Sequence, residues 1–240
     1  MIIFISNSIE DDKTFVLDSF NKTSDLIHYE FETNDNKKVI KVEKILSDVF
    51  KFIIIVMCFF ISLMIGKNKL NDKDVILLQF GLFFTVLSDF FFLIVYKNSF
   101  GVASFCIVQI LYCIRYDIDN TKETIRNFIL IFIFVAILYI IFSRLIKKIN
   151  VILFIGLYYS ICLITSVWKA IKACKNNNFP SPNRYMIAYG MILFLLCDIN
   201  VFLHNIIGIK NSKWLVWLFY IPSQFLLSFS GYKFKRKSFR

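Results

Sequence analysis

Apolar stretches of about twenty residues, separated by short polar breaks, fill the chain from residue 45 onward. A helix rises 1.5 Å per residue, so about 20 apolar residues cross the hydrocarbon layer of a bilayer. Read this way, the sequence predicts about seven spans, at 45–66, 75–96, 100–116, 127–146, 150–171, 184–207 and 213–232. The third is the shortest. The breaks, such as Lys67 to Asp74 and Tyr116 to Glu123, are brief and polar. They leave no room for a soluble catalytic domain, so any chemistry belongs to the bundle. The expected fold is all-α, a polytopic transmembrane helix bundle over residues 44–233, with a basic C-terminal tail at 234–240. Residues 1–43 depart from the pattern and read as a polar N-terminal tail. The opening Met1 to Ser6 is too short for a signal-peptide core and lacks its basic flank.

Two acids interrupt the apolar pattern in matching places. Asp89 lies eight residues after Gly81, and Asp198 lies eight residues after Gly190, each inside an apolar helix. A carboxylate at the centre of a bilayer costs about 2.5–3.5 kcal/mol on insertion scales. Two in equivalent positions point to a site built from both. The Gly-to-Asp segments are offset by 109 residues, and each is followed by a span carrying Tyr and Gln. Gln109 and Tyr112 follow the first acid, and Tyr220 and Gln224 follow the second. The acids lie in the second and sixth spans, four helices apart, so both run in one direction, as in a parallel internal repeat. Each acid stands seven residues inside the same face, roughly 10 Å deep. Gln109 counts from Phe100 to roughly 13 Å, and Tyr220 from Lys213 to roughly 10 Å. The expectation is one polar cluster with apolar walls.

Composition supports the membrane reading, with 58% hydrophobic residues, 18% aromatic and a mean hydropathy of +0.65. The net charge of +11 would raise nucleic acid as a partner in a soluble protein. In a membrane chain, Lys and Arg instead set topology and meet anionic lipid heads, so no nucleic-acid partner is expected. They are denser at the span ends on the C-terminal side, which places that face in the cytoplasm and, with seven spans, the N-terminus outside. The expected location is the cell membrane, as a multi-pass protein. Cys58, Cys106, Cys113, Cys162, Cys174 and Cys197 form no C-x-x-C pair and read as buried thiols. Trp168, Trp214 and Trp217 lie near span ends, where interfacial aromatics gather.

Two nearby carboxylates in a low-dielectric site do not readily both ionise, which leaves an acid beside an anion. Glycosidases use such a pair on acetals, and the same pair would protonate an acid-labile enol ether. A zinc hydrolase needs about three His or acidic ligands. The chain offers only His28 in the tail and His204 near the end of the sixth span, so no metal is expected. No G-x-S-x-G or H-E-x-x-H occurs, and Lys213 and Lys233 sit only at the ends of the last span, not where a retinal Schiff base needs one.

The segment Phe80 to Asp89 resembles the Gly-Leu-x-Phe-Ser-x-x-Gly-Asp helix of the YhhN family of membrane proteins, which includes the lysoplasmalogenases. Gly190 to Asp198 is similar to its Gly-Ala-x-Leu-Phe-x-x-Ser-Asp helix, and Tyr220 to Leu227 to its closing Tyr-x-x-Ala-Gln-x-Leu-Ile. The three occur in family order within residues 45–232. Departures are Gln109 where the family has His, Ser88 for the Gly before the first acid, Cys197 for the Ser before the second, and no counterpart of the first family helix. The resemblance implies a hydrolase that needs no organic cofactor and cleaves the vinyl ether of lysoplasmalogen to a fatty aldehyde and a glycerophospho-base. Its partners would be a lysophospholipid substrate and membrane lipids. Asp89 and Asp198 would be catalytic. Gln109, Tyr112, Tyr220 and Gln224 would position water or the glycerol oxygens, and Lys97 or Lys213 would meet the phosphate. The rival readings are a proton-coupled transporter, built on the same repeat and acids, and a non-catalytic lipid-binding membrane protein.

Overall fold

The structure is a computed structural model, and it describes residues 48–145, 151–203 and 212–234. The N-terminal tail, all but the first residue of the basic tail, His28 and His204 lie outside the described residues, as do the side chains of Lys213 and Trp214. Seven helices occupy the seven expected stretches. They are α1 at 48–63, α2 Asp72–Asp89, α3 Asn98–Tyr116, α4 Thr121–Leu145, α5 Val151–Lys175, α6 Asn183–Phe202 and α7 Ser212–Phe229. No strand occurs among the described residues. Five segments are long and apolar enough to cross a membrane: Asp72–Ile94, Asn98–Tyr116, Ile118–Arg144, Val151–Lys175 and Asn183–Phe202. The chain is a multi-pass membrane protein. The apolar part of α7, Leu215–Phe229, is shorter.

Helices α2, α3, α5, α6 and α7 close into a ring, each packed on the next, with α7 returning to α2. The expected third span, the shortest by sequence, is α3, and it is the most enclosed of the five crossing segments. Its buried face runs through Phe105, Gln109, Tyr112 and Tyr116. Helix α4 lies outside, against α5, and turns Ile129, Leu130, Phe132, Ile133 and Phe134 outward. Such a face has no aqueous rationale and suits lipid. Helix α1 leans on α2, where Phe59 meets Phe83 and the Gln79 amide donates to the Ser62 carbonyl at 3.1 Å.

Two features of α2 prepare the site. Directly after Asp89 the helix widens into a π turn, Phe90–Ile94, a distortion that often accompanies functional side chains. One α-turn pattern is thus broken beside the acid. The other feature is Gly81, which lets the Tyr112 ring lie against the α2 backbone. A Cβ there would stand 2.5 Å from Tyr112 Cε1, and Tyr112 is fully buried, so the ring or a helix must shift. Gly81→Ala is therefore expected to lower stability by about 1–3 kcal/mol through overpacking. Thermal unfolding in detergent reads this directly, and an unchanged midpoint would mean that the ring moves freely.

Candidate active site

Asp89 closes the α-helical part of α2 and is 5% exposed. Its Oδ2 accepts a hydrogen bond from the Tyr220 hydroxyl of α7 at 2.7 Å. Asp198, on α6, is partly exposed, and its Oδ2 accepts from the Tyr159 hydroxyl of α5 at 2.5 Å. Each acid is thus held by a tyrosine from the next helix of the ring. Phe194 joins the two pairs, set edge-on to Tyr220 at 5.8 Å and to Phe105 at 5.7 Å. Phe105 in turn lies 6.1 Å from the Tyr159 ring. Cys197, the residue before Asp198, is buried. Ser88, beside Asp89, donates to the Gly101 carbonyl at 2.7 Å and fastens α2 to α3 at this level. Trp217 covers Tyr220 edge-on at 5.6 Å, with Lys51 Nζ 4.4 Å above its indole. Trp217, expected near a span end, also packs on the site.

The structure joins some of the expected site residues and separates others. Tyr220 meets Asp89. Gln109 turns its Oε1 to the Ser166 hydroxyl of α5, which donates at 2.5 Å. Tyr112 stacks on Tyr116 with centroids 6.1 Å apart. Gln224 is fully buried one turn beyond Tyr220. Among the described residues, none of Gln109, Tyr112 and Gln224 hydrogen-bonds to either acid, so the single cluster at one depth resolves into two layers. The reason is helix length. Helix α3 begins at Asn98 rather than Phe100, which places Gln109 roughly 17 Å in, below the acids at roughly 10 Å. Lys97 is exposed in the turn before α3.

Tyr159 is the residue that sequence reasoning missed. It stands eight residues after Val151, the first residue of α5, hence roughly 12 Å deep. That depth matches Asp198 and was the one available signal.

The family model described as the YhhN family matches residues 46–231, which takes in all seven helices. The chain belongs to the YhhN family. No curated protein and no solved structure matches it.

In this YhhN family member the far end of the ring carries a second polar assembly. Arg115 of α3 donates to both Asp74 oxygens, at 2.7 and 3.2 Å, and to the Ser230 hydroxyl at 2.9 Å, all buried. The Asn183 amide at the head of α6 donates to the Ser230 and Tyr232 carbonyls at 2.8 and 2.6 Å. A cavity of about 590 Å³ opens here, lined by Asp74, Arg115, Tyr116, Asp117 and Asn178 among others. A neighbouring cavity of about 320 Å³ shares Tyr116, Asp117 and Asn178 and adds Lys169 and Lys172. Partial burial pushes the Asp117 carboxyl up, but hydrogen bonds from Lys169 and Asn120 outweigh it and hold the group below its ordinary value. Asp117 therefore stays charged at the mouth at neutral pH. Among the described residues no three His, Cys, Asp or Glu side chains converge as metal ligands.

Proposed function

We propose that this protein is an integral-membrane hydrolase of the cell membrane that cleaves the vinyl-ether bond of a lysoplasmalogen through Asp89 and Asp198. The observation that carries the reading is the pair of Asp–Tyr contacts, one buried and one part-buried, on the two family helices. A tyrosine donating to Oδ2 fixes the rotamer of each carboxyl and leaves Oδ1 for a reacting molecule. One carboxyl, protonated, delivers its proton to the enol-ether carbon, and the charge moves to an oxocarbenium ion. The other carboxylate stabilises that cation and orients water. Water adds to the cationic carbon and releases a proton to the carboxylate. The hemiacetal then collapses to a fatty aldehyde and the glycerol hydroxyl. One water is consumed and no oxidant or cofactor is required.

Access supports the same assignment. Asp198 is partly exposed on a helix whose neighbours Leu196 and Ile199 face outward, so the alkenyl chain approaches it from the lipid. Gln109, Tyr112 and Gln224 lie deeper and serve water or glycerol oxygens rather than the carboxyls. Lys97 stays a phosphate contact in this scheme, since it stands exposed at the near face.

The test is fatty-aldehyde release by purified protein from a lysoplasmenyl lipid, with the saturated-ether lysolipid as control. Aldehyde from the vinyl ether alone is the expected result. No aldehyde from folded protein across several head groups would overturn the reading, and proton-linked uptake into vesicles would then favour a carrier.

A further inference from the structure

Among the described residues, six buried side-chain nitrogen or oxygen atoms have no hydrogen-bond partner: Gln109 Nε2, Tyr112 OH, Tyr116 OH, Arg184 Nε, and both Nε2 and Oε1 of Gln224. Five of the six belong to four residues inside the ring. Gln109, Tyr112 and Gln224 are fully buried, and Tyr116 is 2% exposed. The Thr85 hydroxyl gives its hydrogen to the Gly81 carbonyl at 2.9 Å, so toward Tyr112 it offers only lone pairs.

These atoms share one stretch of the bundle. Helices α3 and α7 are tied at both ends. At one end Phe194 touches Phe105 of α3 and Tyr220 of α7. At the other, Arg115 of α3 donates to Ser230, just past α7. Between the ties α3 carries Gln109 and Tyr112, and α7 carries Gln224. Tyr116 continues the α3 row at helical spacing and lines both cavities at the far face. The row from Gln109 to Tyr116 covers roughly 10 Å, and Gln224 to Tyr220 roughly 6 Å. At its end Tyr220 hydrogen-bonds Asp89. A buried polar atom without a partner costs about 1–3 kcal/mol, and hydrocarbon surroundings offer no relief. Leu or Met would fill such positions without that cost. Polar groups grouped two to four around one point are what bound water requires.

We infer that a file of about five bound waters, spaced at ordinary hydrogen-bond distance, runs from the cavity beside Arg115 and Asp74 past Tyr116, Tyr112, Gln109 and Gln224 to the Tyr220–Asp89 pair. It supplies the water that the proposed hydrolysis consumes, and in that role it rests on the hydrolase reading. Its entrance is the C-terminal face, opposite the face nearest the acids. Substrate enters from the lipid and water from the far side, so the two routes do not compete. Gln109, with its Oε1 held by Ser166, turns a free amide donor to the file.

Radiolytic footprinting tests this without turnover. Brief X-ray exposure makes hydroxyl radicals from bound water, and mass spectrometry finds the side chains they modify. In the intact purified protein, Tyr112 and Tyr116 are expected to be modified about tenfold faster than Tyr158, because ordered water adjoins them. Tyr158 is slightly more exposed, at 8%, but faces α4, with its hydroxyl on the Phe128 carbonyl. Gln224→Leu is expected to cut Tyr112 modification and aldehyde release together without lowering the thermal midpoint. Equal slow modification of Tyr112, Tyr116 and Tyr158 in folded wild type would overturn the file, even if aldehyde forms. Fast modification with no aldehyde would leave the file standing and reject the hydrolase.

Discussion

Asp89→Asn and Asp198→Asn are each expected to lower aldehyde release by about 10²–10⁴-fold, the usual contribution of a positioned acid or base. Asn has the shape of Asp, and its oxygen still accepts from Tyr220 or Tyr159, so the helices should assemble as before. What disappears is the exchangeable proton or the negative charge. A similar thermal midpoint with lost turnover would separate chemistry from folding. The tyrosines give a graded counterpart. Tyr220→Phe or Tyr159→Phe removes one hydrogen bond to an acid, worth about 1.5–3 kcal/mol where that acid is ionised, and so roughly 10- to 150-fold in rate if it acts only in the transition state. As positioning residues they should lower kcat with KM little changed. A merely structural role would lower the amount of folded protein and leave both constants alone. Full activity in either Asn variant would sink the acid-pair scheme.

How far the sequence led depends on what kind of contact was asked for. The helices were legible because each is a single apolar run, and the start of α5 at Val151 lies within one residue of the expected span. The acids stood out because a carboxylate in such a run is expensive and marks a candidate site. Tyr220 was legible through its depth. Tyr159 was not, since a tyrosine among apolar residues carries no cost that would mark it, and its partner is 39 residues away. The repeat also misled in part. It treats the acids as equivalent, yet Asp89 takes its tyrosine from α7 and Asp198 takes its own from α5, because α6 packs between α5 and α7 while α2 packs between α3 and α7. Arg115 looked like one more basic residue at a span end. Only the fold turns it inward, since Asp74 lies 41 residues back along the chain.

Breaking the Arg115–Asp74 pair is expected to be the most damaging single change to stability. The side chains are 0% and 2% exposed, so Arg115→Met strands a buried carboxylate, and Asp74→Leu strands a guanidinium. Either should cost about 3–5 kcal/mol. The double variant removes both charges and should recover most of the loss, because well-packed apolar residues often replace a buried ion pair at no net cost. Unfolding midpoints of the wild type, two single variants and the double variant give the coupling energy. Purely additive losses would mean that the pair acts through volume rather than charge. The consequence reaches the acids. Arg115 links α3 to α2 through Asp74 and to the end of α7 through Ser230. That link sets how far α7 extends along the ring, and a one-residue slip moves a helix about 1.5 Å and turns it about 100°. Such a slip would take Tyr220 off Asp89. Activity per folded molecule should therefore fall in the single variants, although Asp74 and Asp89 stand fifteen residues, roughly 22 Å, apart on α2. The ion pair at one face of the membrane thus holds the register on which the acid site near the other face depends.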